Sequence, residues 1–154
     1  MKTNKLALIT LLLWLTTIAV FAWFFVRGNT TAGTDGRTAI VLAPAERGLI
    51  LSEMRALLSG VHDILDGISR NDRQQVASAA RAVGMAAAAD VNPALMTRLP
   101  LPFKQLGMSV HRDMDELATA AENGKPAIEL QRMLTNTLAK CVSCHSAWQL
   151  KAAD

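Results

Sequence analysis

Both cysteines of this 154-residue chain and one of its three histidines fall within five consecutive positions, in the run CVSCH from Cys141 to His145. On a helix, residues three and four apart are neighbours, so Cys141, Cys144 and His145 would project from one face. Cys-x-x-Cys-His is the attachment pattern of haem c, in which two thiols become thioethers to the porphyrin vinyl groups and the adjacent histidine binds the iron. Three other chemistries use parts of the pattern. A thioredoxin-like dithiol calls for a βαβ setting, and the sequence shows no such alternation. A structural zinc site needs four tetrahedral ligands, so His62 or His111 would have to join. A disulfide between residues three apart on one helix would constrain almost nothing.

The elements that must position these residues follow from periodicity. From Glu46, apolar residues recur at Ile50, Met54, Leu57, Val61, Ile64 and Ile68, alternately four and three apart, a helical seam that Leu51, Leu58 and Leu65 would widen. Asn71-Asp72 marks a turn, and a second helix is predicted from Asp72 to Ala89 with Val76, Ala80, Val83 and Ala87 inward. The stretch DVNPALMTRLPLPF carries Pro93, Pro100 and Pro102 and reads as a connection. A third helix is predicted from Phe103 to Glu122, along Phe103, Leu106, Val110, Met114, Leu117 and Ala121. The fourth, from Pro126 to Leu150, places Leu134, Leu138, Cys141, His145 and Trp148 inward. The fold expected is all-α, an antiparallel four-helix bundle over residues 46–154 with an N-terminal transmembrane helix.

That N-terminal helix comes from Leu6 to Val26, 21 residues without a charge, near the roughly 20 that span a bilayer. Val20-Phe21-Ala22 offers a weak signal-peptidase site, but the apolar run continues past it, which favours an uncleaved anchor over residues 1–27. Residues 28–45, rich in Gly, Thr and Asn, read as a flexible linker. Lys2 and Lys5 before the span place the body outside the cytoplasm, against the weaker counterweight of Arg27 and Arg37. Haem attachment also happens outside the cytoplasm, so the two ends of the chain agree. The expected location is a bacterial inner membrane with the haem domain in the periplasm.

Charge argues against one class of partner. Formal net charge is +3, but the first 37 residues hold four Lys/Arg and one acid, leaving a body with twelve of each sign. A neutral body without basic runs lacks the footprint of a nucleic-acid binder.

The segments CVSCHSAW and ERGLILSEMRALLSGVHDILDG together resemble the class II c-type cytochromes, meaning cytochrome c prime and its low-spin relatives. The resemblance covers Glu46 to Lys151. It implies a four-helix bundle with one covalently attached haem c and its iron, the motif lying in the last helix. Cys141 and Cys144 would hold the haem and His145 would be the proximal ligand. Trp148 matches the family's aromatic three residues after the histidine. Arg47, Leu51 and Gly67 match an arginine near the start of the first helix, a haem-facing residue one turn later, and a glycine after the helix. Family members often dimerise through their first helices, so a homodimer is a further expectation. Gln149 departs from the basic residue usual after the aromatic, the helix connections are short, and the membrane span is not a general family feature.

Function then turns on the sixth iron position. A thioether there gives a low-spin iron of raised potential, suited to electron transfer. An apolar residue leaves room for a diatomic gas. The resemblance puts Leu51 at that place, while Met54 lies one turn on and on the same face. Met54 is the expected ligand, as the seam methionine in the half of the helix nearest the haem, although methionine is also a common core filler. His62 and His111, at stripe edges, leave bis-histidine ligation open. Arg47 and Arg55 suit haem propionates. The sequence expectation is thus a non-enzymatic electron carrier for periplasmic or membrane redox proteins, with gas binding as the rival.

Overall fold

The computed structural model describes residues 4–89 and 92–153; Lys2, Asp90 and Val91, used in the sequence reading, lie outside them. Helix α1 (Lys5–Arg27) is capped by Asn4, whose side chain accepts from the Leu6 amide. It is long and apolar enough to cross a membrane, and the body buries none of it.

Where a flexible linker was expected, the chain forms two strands, β1 (Thr30–Ala32) and β2 (Thr38–Leu42). They pair antiparallel, and β2 pairs in parallel with a third strand at the other end of the chain, β3 (Trp148–Ala152). Ile40 and Leu42 are completely buried. The body is therefore not all-α, and residues 28–45 belong to it. The alternation of Trp148, Leu150 and Ala152 explains β3, since a period of two suits a strand.

The rest is helical: α2 (Pro44–Ser69), α3 (Arg73–Ala82), a 3₁₀ turn (Met85–Ala88), α4 (Pro93–Arg98), α5 (Leu101–Glu122) and α6 (Ala127–Ala147). Glu46 closes the start of α2 by accepting from the Ala43 amide at 2.9 Å. Asn71 turns the chain with φ of 56°, and Asp72 caps α3 through the Gln75 amide. Gly67 lies inside α2, not after it, where a Cβ would come within 2.9 Å of Val76. α3 stops well short of the expected Ala89. The Asp115 carboxylate accepts from the Met85 amide at 2.9 Å and starts the 3₁₀ turn instead. The proline-rich connection contains α4, with Pro93 at its first turn, where a missing N–H costs nothing.

α2 and α5 each pack on α3 and on α6. Two buried clusters result. One joins Val61 and Ile64 of α2, Val76 and Ala80 of α3, Met114 and Leu117 of α5, and Leu130 and Leu134 of α6. The other gathers Ile40 and Leu42 of β2, Ile50, Leu95, Leu99 and Phe103, with Met54, Met96, Cys144, Trp148 and Leu150 against it. Among the described residues, α2, α5 and α6 are the helices that run through both, because α3 is ten residues long. Leu58 and Leu65, expected to widen the core stripe of α2, stay 71% and 44% exposed, because its buried face follows the Ile50, Val61 and Ile64 seam alone.

Candidate functional site

The early end of α3 leaves a gap between the two clusters, and the CVSCH motif faces it. A cavity of about 400 Å³ is walled by Ile50, Met54 and Leu57 of α2, Ala87 and Ala88 of the 3₁₀ turn, Leu95 and Met96 of α4, Phe103 and Val110 of α5, and Cys141, Cys144 and His145 of α6. Alanines in the 3₁₀ turn and Gly107 keep the walls thin. A smaller cavity of about 150 Å³ adjoins it and shares Met54, Phe103, Cys144 and His145. Arg37, Arg47, Leu51, Trp148, Gln149 and Leu150 complete the smaller one.

All seven residues singled out from sequence line one or both spaces. Cys144, His145 and Met54 border both, Cys141 the larger, and Arg47, Leu51 and Trp148 the smaller. The cysteines are free and half-buried. Burial pushes both thiols up from their ordinary value, and for Cys144 the nearby Cys141 adds to it. His145 is exposed at the rim and not within the core seam. Trp148 begins β3, and its ring meets Phe103 edge-on at 5.8 Å between centroids.

Arginine side chains tie the strands to the motif. Arg47 donates from Nε to the Leu150 carbonyl at 3.2 Å, the only hydrogen bond of its side chain among the described residues. Arg37, from the loop between β1 and β2, donates from Nη1 to the His145 carbonyl at 3.2 Å and is itself held by Asp35. That guanidinium holds the Asp35 carboxyl below the usual range. Nothing in the composition of residues 28–45 marked Arg37; only its pairing across the sheet brings it to the motif.

The remaining histidines separate. His62 is exposed, pairs with its neighbour Asp63 and borders neither cavity. His111, expected at the edge of the α5 stripe, is 4% exposed and lies in the wall of the larger cavity. Its Nδ1 meets the Val83 carbonyl at 2.9 Å and its Nε2 meets Glu53 at 3.1 Å. Two acceptors on one ring call for the doubly protonated imidazole, and Glu53 raises the His111 pKa above its ordinary value against the opposing effect of burial. Both ring nitrogens being engaged, His111 has none to offer a metal.

Other groups at the larger cavity were not singled out from the sequence. Met96 and Met108 line the larger cavity beside Met54. Met96 was hidden in a segment taken for a connection, and Met108 lies off the α5 stripe. Lys140 lines it next to Cys141 and pairs with Asp113 at 2.6 Å, while Thr137 donates to the same carboxylate at 3.1 Å, fixing α6 against α5. Arg55, considered for a propionate, borders neither cavity.

The site suits a large apolar plate with a few polar edges. Its walls are mostly aliphatic, two thiols face it from one helix face, a histidine stands at the rim, and polar groups are confined to a few positions such as Glu53, Lys104, His111 and Lys140. Compared with protein-family models, curated proteins and solved structures, the chain has no match in any of the three.

Proposed function

We propose that this chain is a monohaem c-type cytochrome, an antiparallel four-helix bundle of α2, α3, α5 and α6 held at the periplasmic face of a bacterial inner membrane, and that it exchanges electrons with membrane or periplasmic redox proteins. One observation carries the reading: residues from the two ends of the body, Arg47, Leu51 and Met54 on α2 and Cys141, Cys144 and His145 on α6, border the same pair of adjoining cavities. Bound haem would supply a one-electron iron couple. In this reading Cys141 and Cys144 are its thioether attachments, and His145 offers an imidazole nitrogen from the rim. Met54, which shares both cavities with His145, is the preferred second ligand. Arg47, with its Nε fixed on Leu150 O, would have its terminal nitrogens left for a propionate. Trp148 and Phe103 pack at the edge and exclude water. The role is transfer and not catalysis.

The smaller cavity favours a second reading. Its walls include Leu51 beside His145, and a space of about 150 Å³ is room for a diatomic such as nitric oxide or carbon monoxide. Absorption spectra of the full chain matured in a periplasm, recorded oxidised, reduced and reduced under carbon monoxide, decide between them. A far-red methionine-to-iron band with no carbon monoxide response supports the carrier. A high-spin spectrum that shifts with carbon monoxide supports gas binding. Colour lost entirely to acid-acetone extraction would refute covalent haem and both readings.

A further inference from the structure

The cavity end of the body is also the end from which the membrane helix emerges, and the join between them is built, not loose. Trp23, Phe24 and Phe25 with Arg27, whose guanidinium lies 5.6 Å from the Trp23 ring centre, mark the interfacial level of α1, where aromatic and basic side chains gather. At that level the body holds the end of the helix and the residues that follow it. Lys104 of α5, 7% exposed and without an acidic partner among the described residues, donates at 3.1 Å both to the Phe25 carbonyl in the last turn of α1 and to the Met96 carbonyl of α4. Its ammonium also lies 3.6 Å from the Phe25 ring centre. A cation on the carbonyls of a helix C-terminus is favourable, and burying a lysine for that purpose is costly unless the position is fixed.

Gly28 follows with φ of 64° and ψ of −166°, a region open essentially to glycine, and a Cβ there would fall 2.6 Å from the Arg98 carbonyl and the Pro100 nitrogen. Asn29 then donates its amide to Arg98 O at 2.7 Å and its side chain to Val41 O at 2.9 Å. From α1 to β2 no stretch of free chain intervenes that would let the body swing.

We infer that α4 and the start of α5 form a membrane-contacting surface, which holds the candidate site against the phospholipid headgroups and directs it to partners embedded in the bilayer. Met96, Leu99 and Lys104 are part of the cavity wall, and of these Lys104 bonds the anchor's last turn and joins it to Met96 of α4. α5 runs for 22 residues, roughly 33 Å at helical rise, between this contact and the turn before α6. Ile128, exposed at the start of α6, follows that turn and so lies by the opposite end of α5. The inference rests on α1 spanning the membrane and does not depend on haem.

The test uses the full chain in bilayers of mixed zwitterionic and anionic phospholipid, with a benzophenone amino acid in place of Ala94 or Thr97, both exposed on α4, or of Ile128. Intact mass is measured first. A membrane-extracted protein lacking the N-terminal segment would refute the spanning reading, and this inference with it. With the segment retained, irradiation is expected to give lipid adducts at position 94 or 97 severalfold above those at 128. A flexible Gly/Ser insertion between Arg27 and Gly28 should bring the two ends closer to equal. Equal adduct yields at 94, 97 and 128 in the uninserted chain would overturn the docked orientation while leaving the anchor itself intact.

Discussion

Arg37 donates to the backbone carbonyl of His145 at 3.2 Å across 108 residues of sequence. The last carbonyls of a helix lack partners within it, and a cation placed there satisfies one and complements the helix dipole. The partner is supplied by the loop between β1 and β2, so the motif is held in place by the segment nearest the membrane helix. Arg37→Met should loosen the end of α6 and the start of β3. Amide exchange over residues 145–152 is expected to quicken severalfold, and Arg37→Lys to restore only part of the protection because a lysine cannot keep both Asp35 and the carbonyl. Unchanged exchange in Arg37→Met would show that β2 pairing alone fixes this end.

A tether can be truncated at little cost, but a strand with a buried face cannot. Ile40 and Leu42 are fully buried in the cluster beside the cavity. Ile40→Ala or Leu42→Ala should each destabilise the body by about 2–5 kcal/mol, the range for emptying a packed aliphatic site. Urea unfolding midpoints at a fixed slope measure this. A loss below about 0.5 kcal/mol, as for a surface site, would return this segment to the status of a linker.

The contrast shows where the sequence was legible. α2 and α5 announced themselves because their buried faces recur at helical spacing over six or more turns, and the CVSCH motif, singled out by its spacing, lines the candidate site. The sheet did not. The apolar run Ala39 to Leu42 is too short to outweigh the glycines and threonines around it, and its partner strand is at the opposite end of the chain. Trp148 satisfied two periods at once, four-three spacing from Cys141 and His145 and alternation with Leu150, and packing against Phe103 decided for the strand. His111 was misplaced for a related reason, since a residue at a stripe edge becomes buried when a neighbouring segment, here Val83 with Glu53, closes over it.

Three methionines reach the larger cavity, so the identity of any thioether ligand is a question that single substitutions answer. If the chain carries haem as proposed, Met54→Ala should abolish the far-red charge-transfer band and open the iron to carbon monoxide, with Met96→Ala and Met108→Ala leaving both properties unchanged. Met54 is set apart because it alone of the three also borders the smaller cavity with His145. Loss of the band in Met96→Ala instead would move the ligand to α4. Carbon monoxide binding by the unaltered protein would assign the site to gas binding.

His111 gives the body a pH dependence whose sign follows from its partners. Glu53 and the Val83 carbonyl both stabilise the protonated ring, so the folded-state pKa lies above the ordinary value of 6.5. Below that ordinary value the ring is protonated in folded and unfolded chains alike, and the pairing contributes in full. As pH rises through the raised folded value the proton is lost and the contribution goes with it. Unfolding free energy should therefore fall between about pH 6 and pH 9 by more in the unaltered protein than in His111→Gln. Glu53→Gln should cost about 1–3 kcal/mol at the lower pH, less than for a fully enclosed pair because the Glu53 side chain is 33% exposed. In that variant the same pH interval should become flatter. Equal slopes in all three proteins would mean that folding does not change proton binding at His111.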